Sequence, residues 1–171
     1  MIEMKKPGFV VLFLAVFFAF GAVAHAVERP APAFELISLD GKKFTQESLA
    51  GKATLVVFWA SSCGTCKKEL PKISSLQKKM ERQGFQVLAV GFVDAEKDIR
   101  DYVASHPHAF NFPVLYDNED RVATRWGVRG TPTLFLVDQK GRVVITHPGG
   151  GLLETPAFHK KLEELLLAKN Q

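Results

Sequence analysis

Ala53-Thr54-Leu55-Val56-Val57-Phe58-Trp59-Ala60 is a near-continuous apolar run. A strand with one wet face alternates apolar and polar residues. A run without that alternation marks a strand covered on both faces, as in the middle of an α/β sheet. Directly downstream, Leu70, Ile73, Leu76, Gln77 and Met80 recur at spacings of three and four, which predicts an amphipathic helix over 64–83 ended by Gly84. Pro71 falls inside it, removes a helical hydrogen bond, and predicts a kink about one turn beyond Cys66.

The flanking segments extend this strand-helix unit in both directions. Phe34 to Leu39 alternates toward a strand, Asp40-Gly41 is a hairpin-type turn, Lys43 to Thr45 returns as its partner, and Gln46 to Leu49 suits one helical turn. Beyond the helix come a second buried strand (Gln86 to Phe92), a helix (Ala95 to Ser105), a short strand (Pro113 to Asp117) and another helix (Asp120 to Trp126). Thr133 to Val137 and Val143 to His147 read as strands joined by a tight turn over Asp138 to Gly141. A last helix runs from Pro156 to about Lys169, with Thr155 as N-cap and Phe158, Leu162, Leu165 and Leu166 on one face. The order ββ-βα-βα-βα-ββ-α, with parallel crossovers first and an antiparallel edge last, predicts one α/β domain: a central mixed sheet flanked by helices on both faces.

The first 26 residues stand apart. Lys5 and Lys6 precede an apolar run from Phe9 to Val23 that ends in Ala24-His25-Ala26, the order of a secretory signal peptide. The run is shorter than the roughly 20 residues that cross a bilayer as a helix. Cleavage after Ala26 is the preferred reading and an uncleaved N-terminal anchor the alternative. Both place the domain in the periplasm or another extracytoplasmic space. Val27 to Ala33, rich in Pro and Ala, reads as a tether, and 34–171 as the domain. That length buries a self-sufficient core without structural disulfides. The formal charge of +4 falls to +3 once Lys5, Lys6 and Glu3 are set aside, and the positive residues are scattered rather than massed in a stripe, which argues against a nucleic-acid partner.

Cys63 and Cys66 are the only cysteines, and they fall where the strand gives way to the helix. A disulfide between them closes too small a loop to constrain the unfolded chain much, so the pair is chemical rather than structural. Cys63 sits at the predicted helix N-terminus, where unpaired N–H groups and the macrodipole favour negative charge and lower a thiol's pKa. Cys66 lies about one turn further on and beneath it, shielded from solvent. Position therefore makes Cys63 the nucleophile and Cys66 the resolving thiol of disulfide exchange. The bland alternative is half a zinc site. Such a site needs four ligands, and His106, His108, His147 and His159 are scattered with no suitable pair, so no metal is expected.

Phe58-Trp59-Ala60-Ser61-Ser62-Cys63-Gly64-Thr65-Cys66-Lys67-Lys68-Glu69-Leu70-Pro71 resembles the active-site segment of the thioredoxin superfamily, and its Cys-x-x-Cys-x-x-Glu-x-Pro pattern resembles the exported TlpA/ResA-like branch. Gly127-Val128-Arg129-Gly130-Thr131-Pro132-Thr133 resembles the second hallmark, in which the proline is cis and faces the cysteines. The similarity spans about residues 31–168. It implies a thioredoxin-like fold with an N-terminal β-hairpin and an insertion, an extra helix and strand, within the segment 93–112. A plain crossover helix is the alternative for Asp94 to His108. It also implies a thiol-disulfide oxidoreductase whose redox group is a Cys63–Cys66 disulfide with no further cofactor. Trp59, Thr131 and Pro132 would form the substrate-binding surface, with Trp59 largely packing beneath the site, and Glu69 is a candidate for proton transfer.

Two positions depart from the pattern. Val57 stands where cytosolic thioredoxins carry a buried aspartate, and Ser62 replaces the tryptophan common before the first cysteine, which alters the recognition surface. In this branch the usual work is reducing protein disulfides, often those of apocytochrome c before haem attachment. Electrons come from a membrane reductant of the DsbD/CcdA kind, and the expected state is a monomer that meets the membrane only through an N-terminal anchor. A DsbA-like oxidase is the enzymatic alternative, because superfamily potentials span about −270 to about −120 mV. A thioredoxin-like chaperone holding copper or haem through Cys63 and Cys66 is the non-enzymatic one.

Overall fold

The computed structural model describes residues 29–168, so the expected leader over 1–26 and the start of the tether lie outside the described residues. The strands are β1 (Arg29–Pro30), β2 (Glu35–Ser38), β3 (Lys43–Thr45), β4 (Ala53–Trp59), β5 (Phe85–Gly91), β6 (Val114–Tyr116), β7 (Thr133–Val137) and β8 (Arg142–Pro148). The helices are α1 (Gly64–Met80), α2 (Glu96–Ser105), α3 (Arg121–Trp126) and α4 (Pro156–Ala168). All eight strands join one mixed sheet in the order β1-β8-β7-β4-β5-β6-β2-β3. Strands β4, β5 and β6 are parallel, and the remaining pairings are antiparallel.

β4 is buried along its whole length because the pleat sends alternate side chains into two separate cores. Ala53, Leu55, Val57 and Trp59 pack under α1, α2 and α4, against Leu70, Ile73, Ile99, Phe158 and Leu162. Val56 and Phe58 face the other way, toward Val122, Ala123 and Trp126 of α3. Phe58 meets the Trp126 and Phe135 rings at centroid distances of 5.6 and 5.7 Å. Burial at roughly 25 cal/mol per Å2 on both faces makes this strand the rigid floor of the site.

α1 runs as one helix through Pro71, and Ser75 Oγ donates to the Pro71 carbonyl at 3.0 Å. The predicted end at Gly84 is met, with a separate 3-10 turn over Glu81–Gln83 and Gly84 at φ 88°. Thr155 Oγ1 accepts the Phe158 N–H at 3.3 Å, as expected of the cap of α4. Within 93–112 the described residues form the helix α2 and a 3-10 turn over Pro107–Ala109 but no strand. α2 links the parallel strands β5 and β6, so a crossover helix occupies the segment, and the strand that follows is the one expected at Pro113 to Asp117.

Part of the expected tether belongs to the sheet. Arg29 and Pro30 pair with Val143 and Arg142, the Ala31 N–H donates to the Gly141 carbonyl at 2.8 Å, and the Ala31 side chain is buried. Two residues joined mainly by main-chain hydrogen bonds leave no side-chain periodicity to read, and a proline is tolerated because β1 is an edge.

Candidate active site

Three chain segments meet at one end of the central strands, and strand register puts them there. Trp59 pairs with Gly91, and the Phe92 N–H donates to the Trp59 carbonyl at 3.1 Å, so the chain leaving β5 at Val93–Asp94 emerges beside Ala60–Ser62. Phe58 pairs with Thr133 across the antiparallel β4–β7 edge, so Pro132 enters β7 next to Trp59. The carboxyl ends of parallel strands, where chain direction diverges, are the usual place for a site in such sheets.

Cys63 is the N-cap of α1, with φ −81° and ψ 109°, and is half-buried. Its sulfur accepts the Cys66 N–H at 3.1 Å, and the two cysteines are disulfide-bonded with Cα atoms 5.3 Å apart. Cys66, one turn on, is 1% exposed. The pair is thus asymmetric: Cys63 is half-buried and its sulfur receives a helix N–H, whereas Cys66 is enclosed.

The Thr131–Pro132 bond is cis. The loop carrying it follows α3, whose start is fixed by the buried Asp117 carboxylate accepting the Val122 and Ala123 N–H groups at 3.0 and 2.7 Å. Thr133 Oγ1 donates to the Gly130 carbonyl at 2.7 Å, and the Pro132 carbonyl accepts the Gly149 N–H at 2.8 Å. A groove of about 430 Å3 runs along this loop, lined by Arg129, Thr131, Pro132, Thr146, Pro148 and Gly149 among others.

Glu69 is 5% exposed and bridges two segments. It accepts the Gly151 N–H at 3.2 Å and the Lys72 ammonium at 3.0 Å, and Lys72 also reaches Glu154 at 2.6 Å. These two carboxylates raise the Lys72 pKa. Trp59 is fully buried against Tyr102 and Phe110, at ring distances of 5.7 and 5.1 Å. It therefore supports the site from beneath, and its expected share in a substrate-contacting surface is corrected: a ring with no exposed area meets no partner.

Two contributors escape the sequence. Asp94 binds the Ser61–Ser62 segment, and the Gly149-Gly150-Gly151 loop packs on Thr65 and Glu69. The glycine run was a visible signal for close backbone approach, whereas nothing local marks Asp94. Among the described residues no group of three or more His, Cys, Asp or Glu side chains gathers as a metal site would require, and no helix is long and apolar enough to cross a membrane.

A disulfide-bonded Cys-x-x-Cys pair at a helix N-terminus on this sheet defines a thioredoxin-like thiol-disulfide oxidoreductase. The Redoxin family model matches residues 26–162, and the chain belongs to that family. It is 30% identical to the thiol-disulfide oxidoreductase ResA of Halalkalibacterium halodurans over 81% of this chain and 77% of that protein. Among solved structures, a chain from Chlorobium tepidum provisionally named thiol:disulfide interchange protein DsbE is 32% identical with a TM-score of 0.70, covering 83% of this chain and 96% of that one. The exposed lipoprotein thioredoxin of Streptococcus pneumoniae is 31% identical with a TM-score of 0.68, covering 78% and 99%.

Proposed function

We propose that this protein is an exported reductase of protein disulfides, with Cys63 as nucleophile and Cys66 as resolving thiol. The observation that carries the reading is the asymmetry of the pair: Cys63, the N-cap of α1, is only half-buried and Cys66 is enclosed one turn below. The Cys63 thiolate attacks one sulfur of the substrate disulfide. A Cys63–substrate bond forms, the substrate bond breaks, and the departing sulfur keeps the electron pair and takes a proton. The Cys66 thiolate then attacks the Cys63 sulfur, closes the internal disulfide and releases the second substrate thiol. Two electrons and two protons pass from the dithiol to the substrate.

Thr131 and Pro132 hold the extended substrate segment. Pro132 has no N–H of its own, which leaves the Thr131 backbone to pair with the client. Glu69 is assigned the proton that Cys66 releases and regains. A membrane reductant of the DsbD/CcdA kind returns the pair to the dithiol, apocytochrome c is the favoured client, and the protein works as a monomer. Export rests on the leader pattern, and the likeness to an exposed lipoprotein thioredoxin agrees with it.

The test is the Cys63/Cys66 reduction potential, read by equilibration against glutathione or dithiothreitol. A value well below the glutathione couple supports a reductase. A value near −120 mV is that of an oxidant and overturns the direction assigned.

A further inference from the structure

Every hydrogen bond found for the Asp94 carboxylate is with the chain that leads into Cys63. Its Oδ2 accepts the Ser61 hydroxyl at 2.6 Å and the Ser62 N–H at 3.0 Å, and its Oδ1 accepts the Ser62 hydroxyl at 2.9 Å. A second observation shows that the placement is enforced. Val93, the preceding residue, has φ 72°, a left-handed conformation that β-branched residues avoid, and its side chain is 65% exposed. The Val93 N–H is taken by Asp120 Oδ1 at 2.8 Å, and Asp120 is itself left-handed at φ 54°. The chain thus bends sharply, exposes an apolar side chain and turns a carboxylate onto the two residues before Cys63.

We infer that Asp94 is a positioning residue for thiol exchange: it fixes Ser61 and Ser62 so that Cys63 enters α1 as its N-cap, and its anion opposes thiolate formation at Cys63, holding the dithiol toward the reducing side. The inference rests on the reading of Cys63 as the attacking thiol. Burial works against the Asp94 charge, but the Ser61 and Ser62 hydrogen bonds outweigh it and hold the carboxyl below its ordinary range, so the anion persists at neutral pH. The helix N-terminus, Lys67 and Lys68 act in the opposite sense on Cys63. Lys67 lies 5.2 Å from the centre of the Tyr102 ring. Around the far side of the site, Glu69 and Glu154 are tied to Lys72, and Arg129 lines the cis-proline groove. Asp94 is the carboxylate bound directly to the residues that precede the sulfur. A thiol whose anion is disfavoured makes a stronger reductant, because the reduced form gains less from ionising.

The full-length protein is reduced, and the rate of iodoacetamide alkylation is followed against pH. Cys66 is enclosed, so the titration reports Cys63. Asp94→Asn keeps an acceptor for the Ser62 N–H and removes the charge. It is expected to raise the Cys63 thiolate-to-thiol ratio at fixed pH about threefold. Asp94→Ala is expected to do the same and, in addition, to accelerate hydrogen exchange at the Ser62 amide, which Asp94→Asn leaves protected. An unchanged Cys63 titration in Asp94→Asn, with exchange activity still dependent on Cys63, overturns the role of Asp94 and leaves the proposed function standing. Exchange that survives Cys63→Ser overturns the underlying reading instead.

Discussion

Gly150 lies so close to Thr65 that a Cβ on it would come within 2.8 Å of Thr65 Cγ2. Thr65 is one of the two residues between the cysteines, and the neighbouring Gly149 N–H is bonded to the Pro132 carbonyl, so a single glycine loop touches both hallmarks of the site. Contacts below about 3 Å force one partner to move. The atom met is the methyl of a β-branched side chain held close to its helix, with the Glu69 side chain on the other side, so the strain falls on the Thr65 rotamer and the turn of helix that carries it.

Gly150→Ala is therefore expected to displace Thr65 and slow thiol exchange about tenfold, since sub-ångström misplacement of reacting groups is costly. Thr65→Ser deletes the clashing methyl, and in the double variant most of the rate should return. Insulin reduction turbidity reads both. No loss in the single variant, or no recovery in the double, contradicts the contact's role.

Glu69 couples α1 to the same loop through Gly151 and Lys72. Glu69→Ala strands the Gly151 N–H and leaves Lys72 with Glu154, and urea unfolding should show a loss of about 1–3 kcal/mol. Glu69→Gln keeps an acceptor for Gly151 and should lose less. If Glu69 also moves the Cys66 proton, Glu69→Gln will alter the pH profile of exchange, an effect that a bracing role alone does not produce.

Val93 holds a left-handed backbone with a β-branched side chain. Glycine takes that conformation freely but raises the entropy of the unfolded chain, so Val93→Gly should leave stability unchanged or raise it by up to about 1 kcal/mol. A fall in thermal midpoint of several degrees would show that the exposed Val93 side chain makes stabilising contacts of its own.

The depressed pKa of Asp94 fixes the sign of one pH effect. A carboxyl whose folded pKa lies below its unfolded value adds stability above the unfolded value, and that stability is lost as the pH falls through the folded one. The stability difference between the native protein and Asp94→Asn should therefore be constant near neutrality and shrink below about pH 4. The group is partly exposed, so the amount is at most a few tenths of a kcal/mol, and a difference that grew on acidification would contradict the assignment.

The parts of this site that were legible in advance are those whose determinants are local. The apolar run 53–60, the three-and-four spacing after Cys66, the Thr155 cap and the Asp40-Gly41 turn each depend on neighbours within a few residues, and all were met. Asp94 lies 32 residues from Ser62, and only the register of β4 against β5 brings them together. Glu69 could be read as a helix residue three positions from Lys72, but its second partner, Gly151, is 82 residues away. β1 left no pattern at all, because main-chain pairing at a sheet edge asks little of side chains.

The central claim, that Cys63 is the attacking thiol and Cys66 resolves it, is tested most directly by trapping. Reduced Cys66→Ser protein, challenged with oxidised insulin, should accumulate a mixed disulfide that mass spectrometry maps to Cys63, while Cys63→Ser forms none and reduces nothing. A stable adduct on Cys66 in the Cys63→Ser protein, or insulin reduction that survives the loss of Cys63, would contradict the account.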